Sequence, residues 1–364
     1  MAATIELPDP FLMRGDARVQ SADEWGKRRQ EILDLVIPLE YGRLPPIPDR
    51  TEGEELHHHE VEQLDNARHV QYRIRTGPRK AVSFMLDLLV PPRAPALGVM
   101  LNGDGCWRNL TEEITLAVLR RGYILAQFNR VELAADNYRM DRSSGLYAAY
   151  PQGDFGAIAA WAWGFHRCVD FLCTLDFVDS RRIAVTGHSR GGKAALLAGA
   201  TDERISLTAP NGSGCGGAGS FLWQGPKSES LADILKQFPY WFAPKLKEYI
   251  GREASLGFDQ HFIKALAAPR ALLSTEAFGD LWANPTGTWQ THDAGREVYR
   301  FLGASDRIGI HYRQGGHEHT LEDWDATLDF ADWYFNGIRP GRSFNAQPFD
   351  DLPRAFSWSA PGGR

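Results

Sequence analysis

Cysteine is scarce in this chain. Four residues of 364 (Cys106, Cys168, Cys173 and Cys215) are too few for a disulfide framework. Cys168 and Cys173 fall in one apolar helical stretch, where they read as core thiols. Positive charge is also short, since 40 Lys and Arg against 46 Asp and Glu leave a net charge of −6. No basic face therefore argues for a nucleic-acid partner. No window holds the long uncharged apolar run that a membrane span needs, which argues against a membrane partner. The opening Met1 to Pro10 has neither the basic nor the apolar region of a secretory signal. The chain is expected to be cytoplasmic as it stands, or secreted or periplasmic if a leader has been removed. Metal-ligand patterns are equally thin. His57-His58-His59 is a run of three, but neighbours in a strand point to opposite faces and cannot share one ion. An exposed strand edge is the simpler reading, and no metal or organic cofactor is expected.

What the chain has in quantity is apolar residues, at 43%, enough for a large core, and eleven tryptophans, several near the candidate site. Residues 1–45 read as an N-terminal extension. In it Ser21-Ala22-Asp23-Glu24 forms a capping box that opens a helix through Trp25, Ile32 and Val36, ending near Pro38. Alternating segments at 61–74 and 81–90, separated by Gly77-Pro78, predict two strands of a hairpin or meander. Short apolar strands follow at 97–101, 123–128, 183–185, 205–209, 270–276 and 308–313, interleaved with helices at 116–121, 157–173 and 323–335. That alternation predicts one α/β unit, a mostly parallel sheet with helices on both faces. Residues 129–153 and 220–265 lack this rhythm and read as insertions near the site, the second carrying the aromatic run 238–242.

The chemistry centres on Gly187-His188-Ser189-Arg190-Gly191, between an apolar run and an Ala-rich helix. In a strand–turn–helix context Gly-x-Ser-x-Gly marks a nucleophilic serine on a sharp turn, here Ser189. Arg190 and Lys193 share a face of the helix's first turn. A helix N-terminus ordinarily favours acids, so two cations there suggest a site where negative charge develops. The loop Asn102 to Gly105 stands where a second oxyanion N–H is expected. The glycine-dense loop 211–219 lacks a Lys-Ser/Thr ending, and a loop that lets backbone approach a pocket fits it better than a phosphate loop. A triad acid is expected after the late strand at 270–276. Asp280 in the loop is the first choice and Glu276 at the strand's end its rival. The base is expected in Gln314 to His319, with His317 preferred to His319. The chain order Ser, Asp, His is that of an α/β-hydrolase, a three-layer sandwich.

With these residues in place, the chain resembles the glucuronoyl esterases, carbohydrate esterase family 15, and their bacterial branch most. The resemblance runs from Leu7-Pro8-Asp9-Pro10 and Tyr41-Gly42-Arg43 through Ala159 to Gly164. It includes Gly187, Ser189, Arg190, Gly192 and Lys193, the loop Ser213 to Gly217, and Asp280-Leu281-Trp282-Ala283-Asn284-Pro285. It closes on Arg313, Gly315, His317, Asp323 and Trp324. It implies a serine esterase that cleaves 4-O-methyl-glucuronoyl esters between xylan and lignin alcohols through an acyl-enzyme. On the matching positions Ser189 is then the nucleophile, His317 the base, and Arg190 an oxyanion holder. Lys193 binds sugar hydroxyls, Trp282 lines the uronate pocket, and Glu229 is the pocket glutamate. Many members, the fungal ones especially, place a catalytic Glu where this chain has Gly212, so the acid must come from elsewhere; Asp280 matches the bacterial alternative. The expected partner is a small-molecule or oligosaccharide uronate ester. The alternative is a carbohydrate O-acetyl esterase, or another small carboxylic ester hydrolase, with the same triad.

Overall fold

The computed structural model of the protein describes residues 6–92, 96–107, 110–138 and 141–362. Its frame is a nine-stranded sheet in the order β1-β2-β3-β5-β4-β6-β7-β8-β9. The strands are β1 (Glu52–Val61), β2 (Ala67–Thr76), β3 (Val82–Val90), β4 (Leu97–Asn102), β5 (Ile124–Phe128), β6 (Val178–His188), β7 (Leu207–Asn211), β8 (Ala271–Ala277) and β9 (Ile308–Arg313). The first three form an antiparallel meander, and β3 joins β5 antiparallel. From β5 through β4, β6, β7 and β8 to β9 every pairing is parallel. The helices are α1 (Ala22–Val36), α2 (Glu112–Arg120), α3 (Gly145–Ala149), α4 (Ala157–Leu172), α5 (Arg190–Thr201), α6 (Leu231–Gln237), α7 (His261–Ala267), α8 (Pro285–Phe301) and α9 (Leu321–Asn336).

Alternation along the strands sorts the helices into two layers. Val99, Leu101, Ile183, Val185 and Leu272 face a core shared with α1, α4, α5 and α7. Their neighbours Met100, Ala184, Ala271 and Leu273 face the opposite core, shared with α2 and α9. A strand buried on both faces must read as a continuous apolar run, which is why these segments show no polar alternation. α4 is buried on nearly every side, with Trp161, Trp163 and Phe165 almost fully enclosed. Truncating Trp161 to Ala there is expected to cost about 3–5 kcal/mol. α5 lies close on the sheet because it is built of Ala and Gly; a Cβ at Gly199 would stand 1.8 Å from Thr208 Oγ1.

Several elements differ from expectation. The helix at Ser21 forms, and the Ser21 side chain accepts from Glu24 N, but Glu24 returns its carboxylate to Gln20 N rather than to Ser21. Pro38 does not stop the chain's coiling. It sits at the start of a π-helical turn, Ile37–Tyr41, where its missing N–H costs nothing. The histidine run lies on an exposed edge strand of its own, β1, so the meander has three strands, not two. The N-terminal extension is not an appendage, because Phe11, Val19, Trp25, Ile32 and Val36 are buried in the main core. The helix α8 is an element beyond those expected, and its start is signalled in the sequence. Asn284 accepts from Gly287 N and Pro285 takes the first helical position. No described helix is long and apolar enough to cross a membrane. Among the described residues no group of three or more His, Cys, Asp or Glu is arranged to hold a metal ion.

Candidate active site

β6 ends at His188 and α5 begins at Arg190, so Ser189 alone makes the turn, at φ 55° and ψ −118°. A non-glycine residue at positive φ stores strain, and here it lifts the hydroxyl off the sheet's carboxyl edge. Tight packing surrounds the turn. A Cβ at Gly187 would lie 2.5 Å from Gly191 O, and one at Gly191 would lie 2.0 Å from Asp104 Oδ1. Both glycines are therefore required by contact.

Three loops at this edge converge on the serine. His317, in the loop after β9, has Nε2 2.9 Å from Ser189 Oγ. Its Nδ1 lies 2.5 Å from Oδ2 of Asp280, in the loop after β8. A carboxylate accepts only, so Nδ1 carries the hydrogen and Nε2 offers its lone pair to the hydroxyl. The Asp280 carboxylate is 5% exposed and also caps the short turn Leu281–Ala283, accepting from Ala283 N. The imidazole remains partly open to solvent. Of the two candidate acids, then, Asp280 meets the base. Glu276 points elsewhere, fully buried with neither oxygen hydrogen-bonded, and burial pushes its carboxyl well above the usual range. His319 lies stacked on Trp324 and makes no bond to Ser189. Gly212 adopts φ +48°, and a Cβ there would be 3.7 Å from His317 Cε1 and 3.4 Å from Asp280 Oδ2.

The turn is held by a carboxylate the sequence did not single out. Asp104, after β4, accepts His188 N at 2.6 Å and pairs with the fully buried Arg130. The loop was expected to offer an oxyanion N–H, and two of its groups are otherwise engaged. Asp104 N donates to Asn102 Oδ1 and Gly105 N to Phe128 O, so those two N–H groups are committed internally. What the loop brings to the serine turn is an anion that clamps its backbone.

Arg190 is held in an aromatic cage. Its guanidinium lies 4.5 Å from the Trp241 ring centre, 4.9 Å from Phe238 and 5.5 Å from Trp107. Nη1 donates to Asp136 Oδ2 at 2.8 Å, and Asp136 Oδ1 accepts from Tyr240 OH and Trp241 Nε1. Both insertions therefore serve one cation, the first supplying Asp136 and the second the ring wall. A planar guanidinium suits this setting, stacking on rings while donating in plane.

Lys193 is 4% exposed, and its Nζ donates to the carbonyls of Ser213 and Cys215. Two of its three donors thus fasten the glycine-dense loop. The bonds arise because that loop leaves carbonyls without partners in any strand. Glu229 is 5% exposed, with its main chain bonded to Trp282 O. Burial raises its carboxyl's proton affinity, against the opposing pull of Lys193, a Trp282 side-chain bond and His317. Trp282 itself is 43% exposed in the turn after Asp280. Glu229 and Trp282 thus stand close to the triad. Asp104, Arg130 and Asp136 could not be picked out singly from sequence; Asp104 lies in the loop 102–105 and Asp136 in the insertion 129–153, but their partners are distant in the chain.

Comparison with known proteins gives the same picture. A family model described as "Glucuronyl esterase, fungi" matches residues 80–303. The carbohydrate esterase MZ0003, from an unknown prokaryotic organism, is 32% identical and aligns over 91% of this chain and 90% of its own length. The 4-O-methyl-glucuronoyl methylesterase 1 of Phanerochaete chrysosporium is 31% identical over 86% of this chain and 65% of its own. A solved family 15 glucuronoyl esterase from Caldicellulosiruptor kristjansonii superposes with a TM-score of 0.85 at 30% identity, covering 98% of this chain and 97% of that one. An α/β-hydrolase frame, a serine turn closed by an arginine, and relatedness over nine-tenths of the length place this chain in the glucuronoyl esterase family.

Proposed function

We propose that the protein hydrolyses 4-O-methyl-glucuronoyl esters through an acyl-enzyme on Ser189. The observation that carries this reading is the unbroken chain from Ser189 Oγ through His317 to Asp280, beside a caged Arg190. Ser189 Oγ attacks the ester carbonyl while His317 Nε2 takes its proton, and Asp280 stabilises the imidazolium that forms. The carbonyl oxygen becomes an oxyanion, and Arg190 with the N–H groups at the start of α5 offers it positive charge. Because the ester is neutral and the intermediate is not, Arg190 acts more strongly on the transition state than on the substrate. The imidazolium then protonates the departing alcohol, leaving the uronate acyl group on Ser189. Water, activated by the neutral base, completes the cycle. Glu229 and Trp282 fit the sugar, the first accepting from hydroxyls and the second covering an apolar ring face.

Methyl glucuronate tests this directly. Ser189→Ala is expected to abolish methanol release, and undiminished turnover removes the triad assignment. Running the same preparation on an O-acetylated xylooligosaccharide separates uronate from acetyl preference, since either substrate would use this triad. Faster acetate release than methanol release would move the assignment to a carbohydrate acetyl esterase.

A further inference from the structure

His188 stands immediately before the nucleophile, yet the reaction sequence above does not use it. Its imidazole lies against that of His317, with ring centres 4.6 Å apart and planes tilted by 46°. Two hydrogen bonds hold the residue. Its main-chain N donates to Asp104 Oδ2. Its Nδ1 lies 2.6 Å from Asn211 Oδ1, and the Asn211 amide is oriented by donating Nδ2 to the Thr275 carbonyl at 3.2 Å and approaching Thr275 Oγ1 at 2.9 Å. With Oδ1 as the acceptor, His188 Nδ1 must carry hydrogen, which sets the tautomer. His188 also stacks on His319 at 5.8 Å, and His319 on Trp324 at 5.2 Å. His317, His188, His319 and Trp324 are thus in successive ring contact.

We propose that His188 is a positioning residue for ester hydrolysis: a locked flat ring on which the base is seated, keeping His317 Nε2 on Ser189 Oγ through turnover. The proposal rests on the Ser189–His317–Asp280 reading. His317 must become a cation during each half-reaction, and a neutral flat ring beside it tolerates that charge. A charged neighbour at this distance would oppose it by on the order of a hundredfold or more in equilibrium. The groups facing His188 are the carboxylates of Asp104 and Asp280 and the imidazoles of His317 and His319, with Arg313 acting on His319. Burial is the largest influence on both His188 and His319 and keeps both below the ordinary imidazole range. The row therefore presents no charge to the base at neutral pH.

The experiment compares wild type with His188→Ala, His188→Phe and His317→Ala on methyl glucuronate from about pH 4 to 9, with melting temperatures alongside. A displaced base costs activity steeply, so His188→Ala is expected to lower kcat by about tenfold to a hundredfold with KM within about twofold. His188→Phe, which restores a flat face without the bond to Asn211, recovers most of that loss. Below the first inflection, log kcat/KM of the wild type steepens beyond unit slope as the second imidazole of the pair takes a proton, while His188→Phe keeps unit slope. Unchanged kcat in a folded His188→Ala, no recovery with Phe, or equal slopes in wild type and His188→Phe each overturn the proposal. If His188→Ala does not fold, the Phe variant and the slopes decide. Full activity in His317→Ala would instead remove the triad itself, so the two failures are distinguishable.

Discussion

At the scale of single residues, the acid's position carries the sharpest prediction. Asp280→Asn keeps the shape but removes the charge that stabilises the imidazolium and favours the Nδ1–H tautomer. A loss of about 10⁴-fold in kcat is expected, against a few-fold at most for Glu276→Gln, measured on methyl glucuronate. The reverse ranking would return the acid to Glu276. For Arg190→Met, loss of a preorganised donor predicts a fall of about 10²- to 10³-fold in kcat with little change in KM. A KM effect alone would make Arg190 a ground-state binder. These residues could be read from the chain because motif, order and loop position constrain them before any contact is known. The loop contacts of Lys193 could not be read in the same way. Its partners, the carbonyls of Ser213 and Cys215, are main-chain atoms about twenty positions on, and no side-chain pattern announces a carbonyl left unpaired.

At the scale of elements, the serine turn is a joint between β6 and α5 whose fit depends on what is missing from it. Gly191→Ala would drive a methyl group against the Asp104 carboxylate, which clamps His188 N and pairs with buried Arg130. Breaking a buried pair is expected to cost about 3–5 kcal/mol, seen as a lower melting temperature together with lost turnover. A variant that melts normally yet is inactive would show that Asp104 is not the clamp. The strands of the parallel region were legible because burial on both faces gives compact apolar runs. β1 was legible in part: its histidines read as an exposed strand edge, but a strand rich in Glu and His carries no apolar signal to mark it as a third member of the meander. The insertions were visible as unpatterned sequence, but their meeting at Asp136 and Trp241 around Arg190 is a tertiary fact.

At the scale of the whole molecule, a buried carboxyl ties the N-terminal segment to the second insertion. Glu40 is fully enclosed and accepts from Gln260 Nε2 at 2.8 Å, and burial pushes its carboxyl from an ordinary 4.5 up to about 8. A carboxyl whose folded value lies above its unfolded one holds its proton where the unfolded chain releases it. Its contribution to stability is complete below about pH 4.5 and is lost as pH rises toward 8. Glu40→Gln keeps the acceptor without the titration. The variant is therefore expected to gain melting temperature relative to wild type between pH 5 and pH 8, and a constant difference across that range would exclude Glu40 as the source.

The segments around Leu7 and Trp358 are sewn together on one side of the fold. Leu7 N donates to Ala355 O, Trp358 Nε1 donates to Leu7 O, and Ser357 bonds to Glu6. A circular permutant that joins residue 364 to residue 1 by a short flexible linker, and opens at the exposed loop near Gly251, should retain the esterase site. Removing the first ten residues should instead loosen the closing segment around Trp358.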